Sequence, residues 1–145
     1  MRLVESSIYF KGNFELRKNI SLRIREDETV SKELRKFFST FFCAPISYVI
    51  IVDGSIVGVI FGEHAEENNP YYDYNEVIET SYYIFPEYRG NNYIVEAIRI
   101  YEDYVKIEGV KFLEFCVSKY NKPSLKTMEK IGAKREFFNF FKKIE

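Results

Sequence analysis

The sequence predicts a mixed α/β (α+β) domain, on three observations. Two β-branched runs, Ile46–Val52 and Ser55–Phe61, flank Asp53-Gly54, the two-residue turn that closes an antiparallel hairpin. Downstream, the apolar positions switch between period two and helical spacing, giving strand, helix, strand, helix, strand. The 145 residues are 46% hydrophobic and 30% charged, which suits one domain with a real core and is too short for two ordinary ones.

The elements follow in order. Residues 1–145 read as one domain, with 1–18 as an N-terminal extension. Ile8 to Ile24 holds short alternating stretches, of which Ile20-Ser-Leu-Arg-Ile24 reads as a strand. Asp27 or Thr29 can cap a helix whose apolar residues Val30, Leu34, Phe37, Phe38 and Phe41 recur at helical spacing, and Pro45 ends it. After the hairpin, Gly62 to Asn75 is polar, acidic and broken by Asn-Asn-Pro, a loop of functional length. A fourth strand covers Glu76 to Phe85 and stops at Pro86. A helix then runs from beyond Arg89-Gly90 to about Glu108, with Ile94, Ala97, Ile98, Tyr101, Tyr104 and Val105 on one stripe and Gly109 as its stop. Lys111 to Val117 reads as a strand. Asn121 to Ile131 reads as a helix with Leu125, Met128 and Ile131 inward, and Phe137 to Ile144 as a final strand. The chain has no internal repeat.

Composition removes several classes of function. The net charge of -1 gives no excess to recruit nucleic acid or an anionic membrane. No run approaches the ~20 apolar residues of a membrane helix, and MRLVESSIYFKGN lacks the apolar core of a signal peptide, so a cytoplasmic protein is expected. Cys43 and Cys116 lie far apart in apolar surroundings and read as buried thiols; the single His64 cannot supply a multi-His metal site, so no metal is expected. The charge is nevertheless divided. From Phe37 to Tyr88 there is no Lys or Arg, and eight acidic residues give that block -8, leaving +7 elsewhere.

The informative stretch is the strand-to-helix junction from Tyr82 to Ala97. A Gly-containing loop that feeds a helix N-terminus points backbone N–H groups and the positive end of the helix dipole at one place, which suits a pyrophosphate. Taken alone, a purely structural turn is the commoner explanation. A wider pattern adds to it. Pro86-Glu-Tyr88-Arg89-Gly90, with Tyr93, Glu96 and Ala97, resembles the acyl-CoA loop of the GCN5-related N-acetyltransferase (GNAT) superfamily, Q/R-x-x-G-x-G/A after Pro-x-Tyr, in the style of ribosomal-protein-acetylating members. A second block, Val117 to Gly132, is similar to the family's V-x-x-x-N-x-x-A/S-x-x-x-Y-E-K-x-G-F. Ile20-Ser-Leu-Arg23 and the hairpin ending Ile56-Val57-Gly58 extend the resemblance over roughly Asn19 to Glu145.

That resemblance implies a mixed, mostly antiparallel twisted sheet flanked by helices. It also implies acetyl transfer from acetyl-CoA to an amine, with Ile84, Phe85, Arg89, Gly90, Asn91, Asn92, Tyr93, Ile94, Asn121 and Ser124 toward the cofactor. Lys119, Lys122 and Lys126 are further phosphate contacts or simply a solvated face. Four positions depart from the family pattern, one of them Ala133 in place of the Phe after Gly132, a packing change. Asn92 stands at the first loop Gly and Ile94 at the second Gly or Ala, while Met128 replaces the Tyr that protonates the departing thiolate in many members. Asn tolerates left-handed backbone, whereas Ile94 must point into the core to leave a phosphate room.

A lysine-like amine is less than about 0.1% neutral at pH 7, so a base is needed. Glu79 matches a Glu found in related acetyltransferases and is the candidate; the alternative is a Glu on a solvated strand edge. The family's other base position, in the strand before Asn121, holds Cys116. Tyr120, Tyr88 or water can substitute for Met128, and Tyr120 is carried forward. The acidic block is expected to line the acceptor side and draw a cationic amine, with Pro70-Tyr-Tyr-Asp-Tyr74 gripping it or covering a sheet edge. The apolar run Phe137 to Phe141 invites a homodimer. Two other classes stay open: a catalytically weak acyl-CoA-binding or regulatory module, and an unrelated α/β interaction domain.

Overall fold

Asp53 and Gly54 have φ of 49° and 80°, the left-handed pair that a type I′ turn requires, and they join β2 (Ile46–Val52) to β3 (Ser55–His64). The computed structural model, which describes residues 1–30, 32, 35, 46–65, 73–136 and 139–145, builds a seven-stranded open sheet outward from this hairpin. β1 (Arg2–Glu5) pairs antiparallel with β2, and β4 (Val77–Ile84) antiparallel with β3. β5 (Phe112–Phe115) runs parallel to β4; β7 (Asn139–Lys143) and β6 (Lys134–Glu136) complete the order β1-β2-β3-β4-β5-β7-β6. The sheet is mostly antiparallel, with one parallel pair near its middle.

Helices cover both faces. α1 (Ser6–Tyr9) and α2 (Phe14–Glu26) fall between β1 and β2, α3 (Tyr93–Lys106) connects β4 to β5, and α4 (Lys122–Ile131) precedes β6. Strand alternation sends Ile50, Ile60, Ile78 and Leu113 to one side, where they pack with Ala97, Ile98, Tyr101 and Val105 of α3 and Met128 of α4. Val49, Ile51, Val59, Phe61, Tyr83 and Phe85 face the other way, against Phe10, Ile20, Ile24 and Val30. Each face thus has its own core, and the sheet is their shared wall.

Several expectations are corrected. Ile20–Ile24 is helical, inside α2: Ile20 and Ile24 are buried while Leu22 between them is 48% exposed, a spacing of four that five residues of alternation cannot reveal. Residues 1–18 supply β1, α1 and the first turn of α2. The loop expected from Gly62 begins later, because β3 continues to His64. The final strand is a pair; the exposed run Lys134-Arg135-Glu136 has no apolar alternation to announce β6. Cys116 is exposed, because the alternation that buries Phe115 turns its neighbour outward. Of the helix expected after Val30, Lys32 and Arg35 are helical and the rest lies outside the described residues, as do Cys43 and Pro70 to Tyr72.

β3 and β4 meet closely where β4 ends. Gly58 lies opposite Ile84, and a Cβ on it would overlap the Tyr83 carbonyl oxygen and sit 3.0 Å from Ile84 Cα. Gly58→Ala is therefore expected to cost about 1–3 kcal/mol, as overpacking does. Thermal melts check this, and a midpoint within one degree of the parent, on the order of a few tenths of a kcal/mol, would exclude the close approach.

Candidate active site

β4 and β5 pair over only three rungs, Val77 with Phe112, Ile78 with Leu113 and Glu79 with Glu114. Beyond Glu79 the strands part, while β4 stays paired with β3 as far as Ile84. A wedge therefore opens beside residues 80–84, and Glu79 sits at its apex. At its mouth the 3-10 turn Pro86–Tyr88 leads into the loop before α3. Five residues of strand, about 17 Å, separate apex from mouth.

The loop turns twice through left-handed backbone. Gly90 has φ of 86° and Asn92 φ of 57°, with no left-handed residue between them. The second of these turns runs directly into the first turn of α3, whose N-terminal N–H groups and dipole favour an anion. Gly90, Asn91 and Asn92 are exposed. Asn91 donates to the Tyr88 carbonyl at 3.0 Å, closing the loop on itself. Ile94 and Tyr93 are half-buried against the α3 core, so the Ile94 side chain turns away from the loop's open side. Ile84 and Phe85 are buried on opposite faces of the sheet.

On the far wall of the wedge, Asn121 caps α4, its Oδ1 accepting from the Ser124 backbone N–H at 3.3 Å. Ser124 Oγ in turn accepts from the Tyr82 hydroxyl at 3.0 Å, a bond that links β4 to α4. Burial pushes the Tyr82 phenol up, although its hydrogen bonds to Ser124 and Thr127 pull the other way. Met128, at the position of the family's Tyr, is completely buried in the core. Tyr120 is 81% exposed, with Lys119 Nζ 5.1 Å above its ring.

Arg89 does not reach toward the loop's N–H groups. Its Nη2 pairs with Asp27 Oδ2 at 2.6 Å, Nη1 donates to Thr29 Oγ1 at 3.1 Å and Nε donates to the Ile84 carbonyl at 2.9 Å. Tyr83 donates to the same Asp27 oxygen at 2.6 Å, and the guanidinium lies 5.3 Å from the Tyr83 ring centre. Burial raises the Asp27 carboxyl, but hydrogen bonds from Tyr83, Thr29 and Arg89 outweigh it and hold the group well below the usual carboxylate range. The Tyr83 phenol is pushed up, first by burial and then by Asp27. Sequence reading missed this cluster, for nothing local to Asp27 points 62 residues ahead to Arg89.

The acidic residues separate into two kinds. Glu87 is paired with Arg23 at 2.5 Å and Glu76 with Lys111 at 2.8 Å, both across the boundary of the acidic block. Asp53 sits at the hairpin turn, at the sheet end away from Glu79. Glu63, Glu79 and Glu114 instead stand on one rung of β3, β4 and β5 and so share a face. Glu114 Oε1 accepts from Asn139 at 2.6 Å, while its Oε2 is buried without a hydrogen-bond partner. Glu114 was not singled out in the sequence, and only strand register reveals it. Among the described residues, no group of three His, Cys, Asp or Glu is placed to hold a metal ion, and no helix is long and apolar enough to cross a membrane. Phe141 is buried against Ala65 and Val77 of its own chain, whereas Phe137 and Phe138 lie outside the described residues.

A mostly antiparallel open sheet flanked by helices, split between two parallel central strands with a helix N-terminus at the mouth of the split, is the architecture of an acetyltransferase fold. The model of the acetyltransferase (GNAT) domain family matches residues 12–134, and the chain belongs to that family. Solved structures of similar fold include the GNAT-family acetyltransferase of Bacillus anthracis, at 19% identity over 89% of this chain and 88% of that one, with a TM-score of 0.65. The GNAT-family acetyltransferase of Streptococcus pneumoniae aligns over 99% and 98% of the two chains at 13% identity and a TM-score of 0.70. The ribosomal-protein-alanine N-acetyltransferase of Brucella melitensis aligns over 97% of each chain at 13% identity and a TM-score of 0.64. At these identities the likeness is one of fold. No curated protein matches by sequence.

The Asp27 cluster carries a pH signature. A carboxyl held below its unfolded value of about 3.9 adds stability that is complete above that pH and is lost as pH falls toward the folded value. Asp27→Asn is expected to cost about 1.5–3 kcal/mol at pH 7, the range for hydrogen bonds to a charged group. The gap from the parent should narrow in melts below about pH 4. A gap of constant size from pH 7 to pH 3 contradicts an ionised Asp27.

Proposed function

We propose that the chain is an N-acetyltransferase that moves the acetyl group of acetyl-CoA to a cationic primary amine, whether a small amine, a polyamine-like compound or a peptide amine. The observation that carries this reading is the parting of β4 and β5 immediately after Glu79, which puts a carboxylate at one end of a wedge and an anion cradle at the other. The residues present fit the cofactor: the cradle at Gly90–Asn92 suits its diphosphate, and the backbone of residues 80–84 and Asn121 flank the path to the apex. Bound there, acetyl-CoA supplies an activated acyl group.

The chain's own groups do the rest. Glu79 accepts the proton that the acceptor amine must lose, and Glu63 and Glu114 on the same rung favour a cationic acceptor over a neutral or anionic one. Arg89 acts through the protein, holding the start of the loop to Asp27 and to the Ile84 carbonyl. A second reading, a binding module with weak turnover, is favoured by the burial of Met128 and the exposure of Tyr120, since neither group is set as an acid in the wedge. We further propose a cytoplasmic protein in which residues 1–145 form one domain. Dimerisation through the C-terminal strands is proposed from the same apolar run, of which Phe141 is buried and Phe140 half-buried against the chain's own core.

Acetyl-CoA at ~100 times its Kd should stabilise the chain by about 2.7 kcal/mol, read as a rise in Tm. No rise at millimolar acetyl-CoA sinks the acetyltransferase reading, and amine-dependent release of free CoA separates an enzyme from a module that only binds. Glu79→Gln should lower kcat/KM about 10²- to 10⁴-fold and flatten the limb of the pH–rate profile that reports the base. An unchanged profile removes Glu79 from that role.

A further inference from the structure

Asn92 is an anomaly in its own loop. It occupies the N-cap position of α3, where an Asn side chain normally accepts a backbone N–H of the first turn, yet it makes no capping bond. Its backbone is left-handed, φ 57° and ψ 21°, a conformation that costs a side-chain-bearing residue more than it costs glycine. Its Oδ1 instead accepts from Lys130 Nζ at 2.6 Å. Lys130 stands in the last turn of α4, where the negative end of that helix favours a cation. Among the described residues Lys130 makes no ion pair; its ammonium is directed at the loop.

We propose that Lys130 is a positioning residue for the cofactor loop: by holding Asn92 from α4 it fixes the left-handed turn that a glycine at position 92 would adopt unaided. The bond also ties the start of α3 to the last turn of α4, since Asn92 is the N-cap of α3 and Lys130 lies one residue before the end of α4. Preorganising the loop in this way lowers the ordering cost of binding an anion there. The inference rests on the acetyl-CoA reading for its functional consequence, but the tether itself is a property of the free protein.

The test is a double-mutant cycle over Lys130→Met and Asn92→Gly, read by acetyl-CoA titration calorimetry, by kinetics and by hydrogen exchange of residues 90–94 without ligand. In the parent background, Lys130→Met should weaken acetyl-CoA binding and raise its KM about five- to tenfold, with little change in kcat, and should speed exchange in the loop. Lys130→Arg, which keeps a donor of similar reach, should recover most of the loss. In the Asn92→Gly background, Lys130→Met should change binding and loop exchange less than about twofold, because the turn no longer needs holding. Equal losses in both backgrounds would mean that Lys130 meets the ligand directly, and no loss in either would mean that the bond is idle; both overturn the proposal. If the parent binds no acetyl-CoA, the functional reading falls. The tether is then judged on exchange alone, where equal rates in parent and Lys130→Met overturn it.

Discussion

Everything at the site depends on β4 being unable to stay paired with β5 beyond the third rung. β4 has eight residues and β5 four, so most of one edge of β4 has no strand to bond. The other edge is fully occupied by β3, which makes β4 a rigid wall rather than a fraying end. Because the crossover between two parallel strands must pass over the sheet, α3 has to begin at the open end of the split. Its N-terminus and the loop before it therefore face the wedge by topology. The same split leaves Glu79 at the apex, so this carboxylate and the loop at the mouth are set about 17 Å apart by one strand. The bond from Tyr82 to Ser124 then spans the gap that the strands leave, linking β4 to α4.

Charge looks different once it is placed on this frame. A block of -8 suggested one acidic wall, but Glu76 and Glu87 are matched by Lys111 and Arg23, and Asp53 lies at the opposite end of the sheet. Three further carboxylates, Glu63, Glu79 and Glu114, the last from outside the block, stand on a single rung, where Glu114 accepts from Asn139. Like charges directly opposite on neighbouring strands are destabilising, so such a rung favours neighbours that donate to it, as Asn139 does to Glu114. At the mouth, the obvious cation, Arg89, is committed to Asp27, and the cation that touches the loop is Lys130, bonded to Asn92.

Legibility in the sequence followed the range of the interactions. The hairpin, β4, α3 and α4 were readable because Asp53-Gly54, Pro86, Gly109, Asn121 and Gly132 mark boundaries through local backbone preferences. α2 was not, since Leu16, Ile20 and Ile24 show their helical spacing only in a window longer than the five residues read as a strand. β6 was hidden because all three of its residues are exposed and polar. At the site, the loop and the candidate base were named from motifs, whereas Asp27, Tyr83 and Glu114 come from partners far away in sequence, with separations of 56 for Tyr83 to Asp27 and 25 for Asn139 to Glu114. Pairings of that kind are set by register and packing, which no local pattern encodes.

The burial of Met128 bears on which proton transfer this chain has to assist. Under the acetyltransferase reading, two protons move: one leaves the acceptor amine and one returns to the departing thiolate. For an amine of pKa ~10.4, reaching the neutral form at pH 7 costs about 4.6 kcal/mol. A thiolate of pKa ~8.5 at pH 7 lies only about 2 kcal/mol above its thiol, so its net protonation from solution buffered at pH 7 is already downhill. A positioned base therefore has more to contribute than a positioned acid. A thioether has no proton to donate, and Met128 is sealed in the core, so the acid is the dispensable partner of the two. Keeping a carboxylate at the apex of the wedge while filling the acid's place with a core side chain is then a coherent arrangement, in which packing between α3 and α4 gains a fully buried residue and the costlier proton transfer keeps its base.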